Sequence, residues 1–102
     1  MKKTIGTHNY YVYIITNKSK TVLYIGFTNN IKDRLYYHIH PESNSKHFSH
    51  RYQCNYLIYF ERYQDAQTAI DREKQLKRWS RKKKEDLIKK ENPNWNFLND
   101  QI

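Results

Sequence analysis

The stretch YYVYIITNKSKTVLYIGF, residues 10–27, decides how the fold begins. Its two ends, residues 10–16 and 21–27, are runs of aromatic and β-branched residues, which are typical of β-strands. The four residues NKSK between them are polar and short enough for a turn. The stretch therefore predicts a β-hairpin.

Side chains alternate along this hairpin, so each strand presents two different faces. Tyr11 and Tyr13 share one face of the first strand, and Tyr24 and Gly26 share one face of the second. A glycine inside a strand often marks the close approach of another group. We expect Gly26 to leave open space beside Tyr24, so that a ligand can reach this phenol. The alternative is that the tyrosines only pack in the sheet.

The remaining pattern predicts one further strand and three helices. In chain order these are a helix from Ile31 with Asn29 or Asn30 as its N-cap, a polar loop over 41–53 that begins at Pro41, a strand over 55–63, and helices over 66–79 and 81–91 with Asp65 and Ser80 as N-caps. A tail with Trp95, Phe97 and Leu98 is expected to dock on the body. The order β-β-α-β-α-α indicates an α+β fold, a small three-stranded antiparallel sheet flanked by helices, in one domain over residues 1–102.

The chain is strongly basic, with 19 Lys and Arg against 10 Asp and Glu and a formal net charge of +9. Residues 72–90 hold ten of the basic residues and three of the acidic ones, so most of the excess charge lies in one segment. Such a segment favours a polyanionic partner, nucleic acid first, although a solvated helix face is the alternative. The candidate nucleic-acid-binding residues are Lys77, Arg78, Arg81, Lys82, Lys83 and Lys84.

Other features of the composition exclude several classes of protein. The single cysteine, Cys54, allows no internal disulfide, suits a reducing cytosol and predicts no disulfide-linked partner. No apolar run approaches the roughly 20 residues of a membrane-spanning helix, and we expect neither a membrane partner nor a signal peptide. These features predict a cytoplasmic protein, and none of them indicates an oligomeric state.

Glu73 breaks the apolar pattern of the helix predicted over 66–79. At about 100° per residue, its side chain falls in the middle of the face that contains Ala69 and Leu76. Burying an unpaired carboxylate is costly, so Glu73 needs a metal ion, an arginine or a lysine beside it. The alternative is a surface ion pair with Lys77, which lies four residues on.

The first predicted helix carries a related anomaly. Arg34 and His38 lie one turn apart along the edge of the apolar stripe formed by Ile31, Leu35 and Ile39. A partly buried Arg–His pair with little acid nearby is better explained as a site for an anion such as phosphate than as a salt bridge. The alternative is a structural histidine at the edge of the core.

A zinc site is a further hypothesis, with His38, His40, His47, His50 and Cys54 as its candidate ligands. The spacings H-x-H and H-x₂-H do not form a usual paired-ligand pattern with one cysteine. The sequence therefore disfavours zinc.

Together these residues resemble the GIY-YIG nuclease domain. They are YVY at 11–13, YIG at 24–26, Arg34, His38 and the later helical Glu73. The similarity covers residues 8–99 approximately and is greatest to small stand-alone bacterial members, the excinuclease-like endonucleases. This chain departs from the family pattern in its first motif, which reads Tyr-Val-Tyr instead of Gly-Ile-Tyr.

The resemblance implies a metal-dependent endonuclease that hydrolyses phosphodiester bonds in nucleic acid, with DNA as the expected substrate, Mg²⁺ or Mn²⁺ as cofactor, and repair or recombination as its setting. Glu73 would hold the metal, and Arg34 would stabilise the scissile phosphate. Tyr24 would orient or deprotonate the attacking water, for which nearby positive charge must lower its pKa from about 10. Tyr13 and His38 would assist by hydrogen bonding, and His38 is the rival general base.

The family also has an asparagine after its last helix. Asn92 is the candidate for this supporting residue, with Asn94 and Asn96 as rivals. The alternative function is a non-catalytic nucleic-acid-binding module that uses the basic C-terminal helices.

Overall fold

The structure, a computed structural model, describes residues 9–39 and 53–102. Its elements in chain order are β1 (Tyr10–Thr16), β2 (Leu23–Thr28), α1 (Ile31–Ile39), β3 (Tyr56–Tyr63), α2 (Ala66–Arg78), α3 (Arg81–Glu91) and a 3₁₀ turn (Asn99–Gln101). The predicted α+β order is confirmed. The loop predicted over 41–53 lies, except for Gln53, outside the described residues. None of the described helices is both long and apolar enough to cross a membrane.

The sheet has the strand order β2-β1-β3, and both pairs are antiparallel as predicted. The central strand β1 is buried from Tyr11 to Thr16 because it has a neighbour on each side. Its register places Tyr13 opposite Gly26 on β2 and opposite Phe60 on β3. The alternation of side chains therefore sends Tyr13 to the same face as these two partners.

Each face of the sheet has its own apolar cluster. The first face is covered by α2 and α3, and its buried residues are Val12, Ile14, Ile25, Ile58, Tyr59, Ala69, Leu76 and Ile88. The second face is covered by α1 and the tail, and its buried residues are Tyr11, Tyr13, Ile15, Ile31, Leu35, Cys54 and Leu57. The hairpin thus contributes residues to both apolar clusters, and the apolar stripe of each helix packs against one of them.

Side-chain caps set the starts of the three helices. Asn30, Asp65 and Ser80 each accept a hydrogen bond from the backbone N–H three residues on, at 3.0, 2.7 and 3.2 Å. Of the two asparagines proposed for α1, Asn30 is therefore the cap. Helix α2 ends at Arg78, one residue earlier than predicted, because Trp79 adopts an extended backbone conformation.

The hairpin turn is longer than the sequence predicts, and β2 begins at Leu23 instead of residue 21. The side-chain oxygen of Asn17 accepts hydrogen bonds from the backbone N–H groups of Thr21 and Val22, at 2.9 and 3.0 Å. These groups are therefore used inside the turn and are not free to extend the strand ladder.

A half-buried ion-pair network joins β3 to α2. Arg72 donates through Nε and Nη2 to the two carboxylate oxygens of Glu61, both at 2.9 Å, and the phenols of Tyr59 and Tyr63 donate to the same carboxylate. Burial favours a raised pKa of Glu61, but the hydrogen bonds from Arg72 and the two phenols outweigh it and hold the pKa below its usual value. Burial and the bond to Glu61 raise the pKa of Tyr63 to about 12.

The C-terminal tail is fastened to β3 through side-chain amides. Asn92, only 7% exposed, donates to the carbonyls of Ile58 and Asn96, both at 2.9 Å, and accepts from the N–H of Asn96 at 3.0 Å. Asn99 bonds the N–H of Leu57 at 2.8 Å. These amides satisfy backbone groups on an edge strand that would otherwise remain unpaired.

The tail docks as predicted, though its three apolar residues are not equally covered. Trp95 packs against the apolar cluster on the first face, which α2 and α3 cover. Leu98 packs against the cluster on the second face, which α1 covers. Phe97 remains 37% exposed and stacks on Tyr56 with ring centroids 4.2 Å apart.

We expect Asn92→Ala to lower the free energy of unfolding by about 2 to 4 kcal/mol, because three hydrogen bonds are lost and buried backbone groups are left unsatisfied. Urea denaturation measures this difference. Asn94→Ala is the matched control, since Asn94 is exposed and makes no hydrogen bond to another described residue. Equal stability of the two variants would contradict the structural role of Asn92.

Candidate active site

Tyr13 lies at the centre of the candidate site. Its ring is 1% exposed, and burial raises the pKa of its phenol well above the usual value. The charge and the hydrogen bond of Arg34 oppose this rise, whereas the nearby Tyr24 and Glu73 add to it. Three side chains that the sequence singled out, from β2, α1 and α2, are therefore near enough to act electrostatically on the buried phenol of β1.

Gly26 allows the Tyr13 phenol to lie across the neighbouring strand. A Cβ atom on Gly26 would lie 2.3 Å from both Cζ and the phenol oxygen of Tyr13, far inside van der Waals contact. The expected open space beside Tyr24 is therefore wrong. The ring of Tyr13 fills that space, because Tyr13 and Gly26 are direct partners in the register and point to the same face.

Arg34 reaches the site from α1. Its guanidinium hydrogen-bonds the Tyr13 phenol, while the residue as a whole is exposed and not half-buried as expected. The reason is that Ile31 and Leu35 take the buried face of α1, so Arg34 lies beside the stripe. The side chain of His38 lies outside the described residues.

A surface cavity of about 440 Å³ opens beside the guanidinium of Arg34. The residues that line it are Thr28, Asn29, Asn30, Asp33, Arg34 and Tyr37. An exposed arginine that lines an open cavity is suited to bind an oxyanion such as a phosphate.

Glu73 lies on the inner side of α2, next to the buried Ala69 and Leu76. Its side chain is 19% exposed and forms an ion pair with Lys77, whose Nζ lies 2.9 Å from Oε2. The alternative interpretation as a Glu–Lys pair is thus part of the structure. The ion pair with Lys77 is compatible with a role for Glu73 at the candidate site, because Glu73 is also close enough to act electrostatically on the Tyr13 phenol.

A metal ion at this site would meet one protein carboxylate. Within residues 9–39 and 53–102, no three His, Cys, Asp or Glu side chains are grouped as metal ligands. A single carboxylate fits Mg²⁺ or Mn²⁺, because Mg²⁺ usually takes one or two protein carboxylates and completes its shell with water and substrate phosphate. It fits zinc poorly, since structural zinc needs four protein ligands.

Of the ligands in the zinc hypothesis, only Cys54 has a described side chain. It is fully buried in the α1 cluster, and burial raises the pKa of its thiol to about 11. The side chains of the four histidines lie outside the described residues.

Several of the candidate nucleic-acid-binding residues are engaged in contacts within the protein. Arg81 donates to Glu85 at 2.9 Å and to the carbonyl of Thr21 at 2.7 Å, which ties α3 to the hairpin turn. Lys82 pairs with Asp86 at 3.4 Å. Each such contact leaves less of the charge available to an external phosphate.

The other candidates differ in their side-chain contacts within the protein and in their exposure. Lys83 lies over the ring of Trp79, with Nζ 4.6 Å from the centroid. Arg78 and Lys84 make no hydrogen bond or ion pair with another described residue, but Lys84 is half-buried, and Arg78 is exposed. Lys74, which was not among the candidates, is also exposed and without such a contact, and its spacing of four from Arg78 is the signal that could have identified it.

Asn92, the proposed supporting residue, has both amide hydrogens and its oxygen engaged by Ile58 and Asn96. Its described contacts fasten the tail to β3, on the side of the sheet away from β2 and Tyr24. Asn92 supports the fold through these bonds.

Comparison with known proteins identifies the family and supports the fold. The family model described as the GIY-YIG catalytic domain matches residues 9–86. Among solved structures, the chain is similar to the solution NMR structure of the UPF0213 protein BH0048 from Bacillus halodurans, with 24% identity, a TM-score of 0.53 and coverage of 85% of this chain and 89% of that one. No curated protein matches the chain. The structural likeness shows a shared fold, and the family match over most of the sequence shows that this chain belongs to the GIY-YIG family, whose catalytic domain is generally that of a nuclease.

Proposed function

We propose that this chain is a metal-dependent endonuclease that hydrolyses phosphodiester bonds in DNA. The observation that carries the proposal is that Arg34, Tyr24 and Glu73 all lie near enough to the buried phenol of Tyr13 to act on it electrostatically. Hydrolysis of a phosphodiester needs an activated water molecule. It also needs positive charge that stabilises the negative charge developing on the phosphate and on the leaving oxygen. These side chains can supply the protein's share of each.

Arg34 is the group that binds the scissile phosphate. Its guanidinium is always charged and presents a planar fork, and Arg34 lines an open surface cavity. The hydrogen bond to Tyr13 holds the fork in place before substrate arrives, which lowers the cost of orienting it. As negative charge grows on the phosphate oxygens, the same fork stabilises it.

The two tyrosines have different tasks because their surroundings differ. Tyr13 is buried and keeps its proton at any workable pH, so its phenol acts as a hydrogen-bonding group that positions Arg34. Tyr24 is half-exposed, and it can contact the attacking water. Tyr24 and His38 are therefore the two candidates for the general base, and Tyr13 is not one.

Glu73 is the residue that would hold Mg²⁺ or Mn²⁺. When bound, the metal would supply a Lewis acid for the phosphate and the leaving oxygen. Lys77 neutralises Glu73 in the structure, and its side chain is 53% exposed, so the ammonium can move into solvent when Glu73 takes another partner. The ion pair thus keeps a half-buried carboxylate from standing unpaired.

The nature of the substrate follows from charge and from the family. The net charge of +9 favours a polyanion, and the resemblance to excinuclease-like endonucleases favours DNA and a setting in repair or recombination. The free Cys54 and a DNA substrate both suit a cytoplasmic location. A panel of labelled duplex, flap, nicked and single-stranded DNA with Mg²⁺ tests which form is cut.

We expect Glu73→Gln to reduce the cleavage rate at least about 100-fold, because the substitution removes the carboxylate charge while keeping its shape. Binding of the same DNA should change little. Single-turnover cleavage with Mg²⁺ and fluorescence anisotropy without it measure the two effects.

Glu85→Gln is the matched control for this variant. Glu85 forms the same kind of ion pair four residues apart, with Arg81 at 2.9 Å, but it is 41% exposed and lies on α3. Mg²⁺-dependent cleavage that survives in Glu73→Gln, or that falls equally in Glu85→Gln, would contradict the assignment.

We expect Tyr13→Phe to lower the cleavage rate without changing the shape of its pH profile. The raised pKa of Tyr13 keeps it protonated on both sides of neutrality, so it contributes no titration there. The rate should rise with pH until the true base has lost its proton, and only the variant of that base should lose the rising limb. Single-turnover rates of Tyr13→Phe, Tyr24→Phe and His38→Gln across pH decide this. A rising limb that disappears in Tyr13→Phe would make Tyr13 the base.

A further inference from the structure

The basic residues of α2 and α3 are of two kinds. Arg72 is held by Glu61 with its side chain only 22% exposed, and Arg81 is held by Glu85 and by the carbonyls of the hairpin turn. Lys74 and Arg78, in contrast, are exposed and pair with no described residue. The first kind serves the fold, and the second is available to a partner.

Lys74 and Arg78 lie one turn apart on α2, the helix that supplies Glu73. At about 100° per residue, they lie about 100° and 140° around the helix from Glu73, and Lys77 lies between, at about 40°. The three cations therefore form an arc that leads from the candidate metal ligand to the outer surface of α2. Lys74 and Arg78 are about 6 Å apart along the helix axis, so the two cations are neighbours on one face of α2.

The two residues line one surface cavity of about 460 Å³ with Asp71, Gln75 and Trp79. The indole of Trp79 is already covered by charged groups, since the guanidinium carbon of Arg72 lies 5.1 Å from its ring centroid and Lys83 also lies over it. Base stacking on this ring is therefore disfavoured. The surface presents positive charge without a means of reading bases, which is the character of a phosphate-binding track.

Asp71 is the single acid in this cavity, and its carboxylate accepts a hydrogen bond from Gln67 at 2.9 Å. Its charge opposes an incoming phosphate. Removing the charge of Asp71 should therefore strengthen DNA binding, whereas removing the charge of Lys74 or Arg78 should weaken it.

We infer that Lys74 and Arg78 bind the backbone phosphates of the DNA strand that leads away from the scissile phosphate, along the outer face of α2. The inference rests on the proposed function in taking DNA as the ligand and Glu73 as the mark of the reaction centre. The end of α3, with Lys89 and Lys90, is not part of this track. It leads into Asn92, which is bonded to β3, whereas the candidate site lies towards the β1–β2 side of the sheet.

The experiment compares two double variants of the full chain that remove the same charge, Lys74→Gln/Arg78→Gln and Lys89→Gln/Lys90→Gln. Binding of a short labelled DNA duplex is measured by anisotropy in EDTA over a range of salt concentrations. We expect the first variant to bind about tenfold more weakly at low salt, with a salt slope shallower by about 2, because two phosphate contacts are lost. The second should stay within about threefold of the unmodified chain, and Asp71→Asn should bind about twofold more tightly.

Equal losses in the two double variants would overturn the inference, because they would show that only overall charge matters. So would weaker binding by Asp71→Asn, or displacement of the DNA by polyglutamate as readily as by unlabelled DNA. Since the assay contains no divalent metal, it does not depend on cleavage. If Glu73→Gln still cuts DNA, the proposed function fails while the binding results stand on their own.

Discussion

The contact between the Tyr13 phenol and the backbone of Gly26 is the constraint on which the site depends. The phenol lies where a Cβ of Gly26 would be, so the ring can cross β2 only at this position. Crossing there brings its oxygen to Arg34 on α1 and near Tyr24 and Glu73. One register pair in a hairpin thus determines where groups from two helices meet, and a side chain on Gly26 would displace the ring that organises them.

The charged groups at the site are arranged so that none is left buried without a partner. Arg34 has the phenol oxygen of Tyr13, and Glu73 has Lys77. Both of these partners can give way to substrate, because Arg34 is exposed and the Lys77 ammonium is at the surface. A site built in this way is stable when empty and keeps its charges in place, whereas unpaired buried charges would destabilise the fold.

Local sequence signals predict the elements of the fold well. The β-branched runs predict β1 and β3 to within one residue, and Asp65 and Ser80 cap the helices they were expected to cap. Such signals act within a few residues of the chain, so they can be read without the tertiary structure. The same holds for Glu73, because the helical period alone places it on a buried face.

The contacts that the sequence does not predict are those formed between distant segments. Arg72 belongs to a basic run but pairs with Glu61, eleven residues earlier, and the space at Gly26 is filled by Tyr13 from another strand. Asn92 has its amide engaged by Ile58, 34 residues away along the chain. Long polar side chains choose among several partners, and that choice depends on which segments the fold brings together.

Three consecutive residues of α2 show how closely fold, site and surface are joined. Successive side chains on a helix are about 100° apart, so Arg72, Glu73 and Lys74 point in three different directions. Arg72 clamps α2 to β3 through Glu61, and this clamp sets the rotation of the helix. In this orientation Glu73 lies near enough to act electrostatically on the Tyr13 phenol, and Lys74 is exposed to solvent. Because all three directions change together when the helix turns, the half-buried ion pair with Glu61 constrains both the position of the candidate metal ligand and the orientation of the proposed phosphate-binding residues.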